Sequence, residues 1–230
     1  MVDQEKIKFK CPQCQQEVEA VSFSTINVTL NPELKEKLFS GELFVKECTK
    51  CKENIQVLHG FLYHDMSKKF MISYGDEAEH VQELMQNLSE EMQEKNLDLE
   101  SFYAGYRIRA TRNINDLFEK IYIFEEGFDD RVIEFCKLLI FQELAEDTNF
   151  KQDDILDIRY MPKEVLKQRN EIKEDDIGIN VYCKNDKAWV RSIKSKFYDQ
   201  CADYVLKNMK NTDFASNLVI DAEWLKVNLE

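Results

Sequence analysis

Cys11-Pro-Gln-Cys14 and Cys48-Thr-Lys-Cys51 are the residues of this chain whose type and spacing define a chemistry. A Cys-x-x-Cys pair projects both sulfurs from one tight turn, and two such turns complete a tetrahedral four-sulfur shell suited to zinc. Cys11, Cys14, Cys48 and Cys51 fill every position of that shell, so the spacing predicts one structural zinc per chain with no open position for catalysis. Thirty-three residues separate Cys14 from Cys48, more than the roughly 15–20 of compact ribbons; a helix predicted between them takes up the excess. Gln15 and Lys52 stand where many cysteine turns carry glycine. The redox alternative needs the first cysteine of a pair at a helix N-terminus, which lowers its pKa. Strand-like residues follow both pairs, so dithiol catalysis is not predicted.

The elements that must position these turns can be read on either side of them. Ile7–Lys10 predicts a short strand entering the first turn, and the alternating Glu17–Phe23 predicts one leaving it. Asn31-Pro32-Glu33-Leu34 reads as a helix start, with Asn31 as N-cap and Pro32 at the first helical position, and Gly41 as its stop. Leu43–Val45 enters the second turn as a strand, Ile55–Leu58 leaves it, and Phe61–His64 and Phe70–Tyr74 are further strands. From Asp76 the apolar period becomes helical (Val81, Leu84, Met85, Leu88, Met92) over an acidic face. Asn113 and Asp129-Asp130 begin two more helices, the second apolar nearly all round and therefore expected to be central.

Three strands follow, Ile155–Tyr160, Ile177–Tyr182 and Ala188–Ile193, and then an amphipathic helix through Phe197, Cys201, Tyr204, Val205 and Met209. Leu218–Ile220 reads as a closing strand before a short helix holding Trp224. The expected class is α+β: a zinc-ribbon-like β module with an inserted helix (about 5–75) and a helical middle segment (about 76–150) form one domain, 1–150. A small antiparallel α+β unit follows, 151–230.

The chain has 230 residues and a formal net charge of −13. Residues 76–150 hold nineteen Asp/Glu against seven Lys/Arg, whereas residues 1–75 are balanced at ten and ten. An acidic protein repels phosphate backbones, which disfavours duplex DNA as a partner. The longest apolar run, Phe135–Phe141, is interrupted by Lys137 and is too short to cross a bilayer. The first twenty residues carry charges throughout, unlike a signal peptide. Seven cysteines, an odd number without a regular framework, do not fit a secreted disulfide scaffold. These features predict a cytoplasmic location, with Cys136, Cys183 and Cys201 as core residues.

The arrangement resembles the CpXC family over roughly residues 8–135. The resemblance rests on Phe9-Lys10-Cys11-Pro12-Gln13-Cys14, Ile26-Asn27, Asn31-Pro32-Glu33-Leu34, Cys48-Thr49-Lys50-Cys51 and Leu62-Tyr63-His64-Asp65. It continues through Asn115–Ile121 and Phe128-Asp129-Asp130. Thr49 stands where the pattern Cys-Pro-x-Cys would repeat in the second pair. The resemblance implies a metal site and one unit joining the cysteine turns to the helices after them, and it carries no reaction.

Three other features could do chemistry. His64-Asp65 could transfer protons, or be hydrogen-bonded locally at a strand end, which is the favoured reading. His59 could replace a cysteine on the metal, although four thiolates already suffice. Arg107, Arg109 and Arg112, beside Tyr103 and Tyr106, could grip a phosphate or an acidic partner, or pair with nearby carboxylates. Glu90, Glu91 and Glu94 lack the spacing of a di-metal motif, and no nucleotide-binding or hydrolase motif occurs. The leading expectation is a zinc-stabilised module that binds another protein, with a nucleic-acid-binding ribbon and an enzyme with a pocket between the helical and C-terminal units as alternatives.

Overall fold

The structure, a computed structural model, describes residues 4–75, 105–147, 151–169, 176–184, 187–208 and 218–229. The acidic helix expected at 76–97, Tyr103 and Met209 lie outside the described residues. The fold is mixed α+β, with strands first, helices in the middle and a C-terminal antiparallel sheet with a helix behind it. Packing divides the chain into two compact units, Met1–Phe118 and Glu119–Glu230.

In the first unit, β1 (Gln4–Lys10) and β2 (Glu17–Phe23) form an antiparallel hairpin whose tip is the first cysteine turn. β3 (Thr25–Asn27) and α1 (Glu33–Phe39) fill the interval before the second turn. The N-cap of α1 falls on Pro32 rather than Asn31, and no side chain caps it; the Asn31 carbonyl instead accepts the Leu34 amide at 3.1 Å. Gly41 ends the helix region with φ of 77°, left-handed backbone that glycine adopts without steric cost. Leu43-Phe44 is not a strand: Glu42–Phe44 is one turn of 3₁₀ helix that buries Phe44 against Phe61, ring centroids 5.4 Å apart. β4 (Val45–Glu47) and β5 (Asn54–Gln56) then form the hairpin carrying the second cysteine turn.

β6 (Phe61–Asp65), β7 (Phe70–Tyr74) and β8 (Arg107–Thr111) complete a four-stranded sheet in the order β3-β6-β7-β8. β6 and β7 are antiparallel, while both edge strands run parallel to their neighbours. Tyr63, Phe61, Phe70, Ile26, Leu38 and Ile72 are fully buried there. β3 and β8 are short, and the alternation that betrays a half-exposed strand is missing because β8 is buried on both faces from Ile108 to Thr111.

The division between units falls within α2 (Ile114–Glu125). In the second unit α3 (Asp130–Glu146) is the central helix expected from its composition, started by Asp129, whose carboxylate accepts the Arg131 amide. It packs against β9 (Ile155–Met161), α5 (Ser195–Asn208) and α6 (Ala222–Asn228). β9, β10 (Asp176–Cys183) and β11 (Lys187–Lys194) form an antiparallel sheet in the order β11-β10-β9. A short helix, α4 (Lys163–Arg169), lies so close to β10 that a Cβ at Gly178 would sit 2.3 Å from Leu166. Leu218–Ile220 is not the closing strand expected; it is irregular and leads into α6, capped by Asp221. Its Ile220 carbonyl is used instead by Lys120, at 2.8 Å.

Candidate metal centre

Each cysteine turn is built twice over from the same backbone hydrogen bonds. In the first, the Gln15 amide donates to the Cys11 carbonyl (2.9 Å) and the Cys11 amide to the Gln16 carbonyl (2.8 Å). In the second, Lys52 donates to Cys48 (3.0 Å) and Cys48 to Glu53 (2.8 Å). Both turns close with left-handed backbone at the residue after the second cysteine, φ of 59° at Gln15 and 63° at Lys52. These are the two positions where glycine would ordinarily stand, and the turn forms without it.

The hairpins bring all four sulfurs within 4.8 Å of one another. Across the two turns, Cys11 and Cys51 are 3.6 Å apart, as are Cys14 and Cys48. A tetrahedron with metal–sulfur bonds of about 2.3 Å has sulfurs about 3.8 Å apart, so the four side chains fit one ion with little adjustment. None of the four is in a disulfide. Cys11 and Cys48 are buried while Cys14 and Cys51 are half-buried, and Phe9, Val18, Ile55 and Val57 pack around them. The centre is therefore the core of this part of the unit.

The thiols also couple electrostatically. The Cys51 amide, donating to the Cys48 sulfur, is the main influence holding that thiol down at about 6, against the opposing effect of burial. At Cys51 the Glu53 amide pulls down, but burial and the sulfurs of Cys14, Cys11 and Cys48 prevail and push the thiol up to about 12. Four thiolates in one place need a compensating cation. A soft, all-sulfur tetrahedral donor set suits zinc or iron, and on geometry and donor chemistry the four cysteines could hold a metal ion.

Left-handed backbone costs an L-residue roughly 1–2 kcal/mol, part of which glycine loses again through its freer unfolded chain, roughly 0.5–1 kcal/mol. Gln15→Gly and Lys52→Gly are each expected to stabilise the metal-loaded protein by about 0.5–1 kcal/mol. Urea unfolding followed at the first unit checks this, and a midpoint that stays or falls would refute it.

The other residues singled out in the sequence do not join the centre. His59 turns to β2, its Nε2 2.7 Å from the Ser22 hydroxyl and 3.2 Å from the Phe23 amide, so it is not the substitute ligand considered for the metal. His64 and Asp65 are neighbours on a strand and point to opposite faces. His64 Nε2 lies 3.3 Å from the Tyr106 hydroxyl, and burial holds the imidazole below its usual range. Asp65 accepts from Ser67 and Thr29 side chains and from the Lys68 amide. Asp65 is thus held in part by its own turn, whereas the His64 partner lies 42 positions along the chain rather than at its strand end.

Arg107 and Arg109 do share a face of β8, but Arg109 is only 9% exposed and donates to the Ile108 carbonyl at 2.8 Å, while Arg112 is exposed beyond the strand. The three do not make one cationic surface.

What the sequence reading missed is a buried ionic cluster in the second unit. Lys137 Nζ bonds Glu119 at 2.7 Å and Glu134 at 2.8 Å, and Arg159 bonds the other Glu119 oxygen at 3.3 Å. A separate pair, Lys120 and Asp130, is 3.0 Å apart and buried. The available signal was the presence of Glu134 and Lys137 at i,i+3 in a helix otherwise apolar all round. Charges placed there must be paired within the protein.

An α+β chain with a four-cysteine hairpin centre is the class of protein that fold and site define. A family model for CpXC proteins matches residues 9–137, more than half of the chain, and the chain belongs to that family. No curated protein and no solved structure matches it. Among the described residues no helix is long and apolar enough to cross a membrane.

Proposed function

We propose that the protein is a zinc-stabilised module of the cytoplasm whose role is to bind another protein. The observation carrying the metal reading is the closure of the donor set: four sulfurs at tetrahedral spacing, supplied by two hairpin tips, use every position of the ion. Zinc, when bound by Cys11, Cys14, Cys48 and Cys51, ties the two hairpins together and offsets the charge of the thiolates. A metal so enclosed stabilises a surface rather than receiving a substrate. A reducing compartment keeps the four cysteines available as thiolates.

A protein is favoured over duplex DNA because the chain carries a net charge of −13 and two of the cations near the cysteine turns are paired with carboxylates. Lys8 is paired with Glu19 at 3.1 Å and Glu17 at 3.6 Å, and Lys52 with Glu47 at 3.2 Å. Metal analysis of protein purified under reduction, without chelator, is expected to find one zinc per chain, with X-ray absorption placing four sulfurs at about 2.3 Å. Disulfides within the pairs in such protein would sink the metal reading. Proximity labelling in the native cell, followed by reconstitution with each recovered protein, tests the binding role, and failure of every recovered protein to bind would count against it.

A further inference from the structure

Two loops and the start of β8 meet at one end of the sheet β3-β6-β7-β8, and hydrogen bonds tie them from beneath. Thr29 Oγ1 accepts the amides of Met66 at 2.8 Å and Ser67 at 3.3 Å, and donates to Asp65 Oδ1 at 3.3 Å. Asp65, buried, also accepts the Ser67 hydroxyl at 2.6 Å and the Lys68 amide at 3.0 Å. Asn27 Oδ1 on β3 accepts the amides of Thr29 and Leu30, both at 3.1 Å. β8 joins them where the Arg107 amide donates to the Lys69 carbonyl at 3.0 Å. Asn27 and Asp65 belong to the stretches, outside the cysteines, by which the chain resembles its family, and here both serve to hold loops in place.

Loops anchored this firmly would be expected to turn their apolar side chains inward. Leu30 is instead 57% exposed and Met66 42%. The two are close, because Thr29 adjoins Leu30 in the chain and its hydroxyl holds the amide of Met66. A fixed backbone that presents apolar side chains loses little entropy on binding, the property of an anchor at an interface. The charge around them is also one-sided. In the turn 65–69 the single acidic residue, Asp65, is buried, against Lys68 and Lys69. Lys68 and Lys69 are exposed beside Met66.

We infer that this end of the sheet docks an acidic segment of a partner protein, an apolar side chain of that segment seating on Leu30 and Met66 and its carboxylates on Lys68 and Lys69. The inference rests on the protein-binding role proposed above and names the surface and the partner chemistry for it.

The test pans a phage-displayed random dodecapeptide library on the full chain purified with its metal. Enriched peptides are expected to be acidic and to carry a bulky apolar residue. Their affinity by fluorescence anisotropy is expected to fall at least about tenfold in Leu30→Ser/Met66→Ser and again in Lys68→Glu/Lys69→Glu. All four positions are exposed, so circular dichroism and metal content should match the parent protein in both variants. Lack of enrichment, enrichment of basic or uncharged peptides, or undiminished binding by the variants would overturn the inference. Sedimentation with phosphatidylserine vesicles that is lost in the same variants would overturn it in favour of a lipid surface. A reconstituted natural partner that binds both variants as tightly as the parent would overturn this surface and leave the protein-binding role standing.

Discussion

Cys48→Ser is expected to lose the metal proposed for the four cysteines, and with it the order of both cysteine hairpins, while the unit Glu119–Glu230 keeps its protected amides. Hydrogen exchange is expected to collapse across the two hairpins, residues 5–22 and 45–56, because the cysteines are themselves the core there, with Val18 and Ile55 the other buried members of their cluster. Structural zinc supplies on the order of 10–16 kcal/mol of apparent binding free energy in small finger peptides. Two buried aliphatic side chains contribute about 1.5–3 kcal/mol each, so they cannot hold the hairpins alone. The second unit has its own interior, including Ile133, Ile179, Val181 and Val205. Unchanged protection at residues 5–22 and 45–56 in the variant would contradict the role given to the metal.

Lys137→Met is expected to cost about 3–5 kcal/mol, the range for removing one partner of a buried ion pair. Lys137 is 8% exposed and is the shared partner of Glu119 and Glu134. Glu119 keeps Arg159 and the Tyr160 amide, whereas Glu134 is left without its cation. The pH dependence identifies the cause. Burial foremost raises the Glu134 carboxyl above its usual 4.5 even with Lys137 present. A carboxyl whose folded pKa is raised contributes stability below the unfolded value and loses it as pH rises through the folded one. The deficit of the variant should therefore be smallest near pH 4.5 and widen towards neutrality.

In the parent protein burial alone would lower the Lys137 ammonium, but Glu119 and Glu134 outweigh it and hold it above 10.5. That contribution is complete below pH 10.5 and is lost as pH rises through the folded value. The double replacement Lys137→Met/Glu134→Leu should recover much of the loss, since a buried pair replaced by apolar groups is often neutral. Denaturant unfolding across pH checks all three statements. A deficit that does not vary with pH would point to lost packing instead.

Much of the fold was legible because local rules were obeyed. Alternation set the bounds of β2 at Glu17–Phe23, and two carboxylates marked the start of α3 at Asp129-Asp130. The cysteine spacing foretold which four residues converge. Where the reading failed, tertiary contacts had overridden a local signal. Leu43-Phe44-Val45 has strand composition, yet Phe44 is taken into a 3₁₀ turn by its stacking on Phe61. Leu218-Val219-Ile220 is equally strand-like, but the carbonyl a strand would share with a neighbour is claimed by Lys120. The apolar anchors Leu30 and Met66 were invisible for a different reason: nothing local distinguishes a buried leucine from one held outward by a network beneath it.

The place where family likeness ends has a practical meaning for anyone dividing this protein. Residue 137, the last one matched, lies in the middle of α3, which runs to Glu146. A fragment cut there would keep Lys137 with Glu119 and Glu134 but discard Arg159 and the Tyr160 amide, which satisfy the rest of the Glu119 carboxylate. It would also sever the half-helix carrying the buried Ile140 and Leu144 from a helix that packs on β9, α5 and α6. Shared ancestry and cooperative folding thus draw different lines through this chain. Expression boundaries should follow the second, with the whole helix and the sheet that completes its ion cluster kept in one piece.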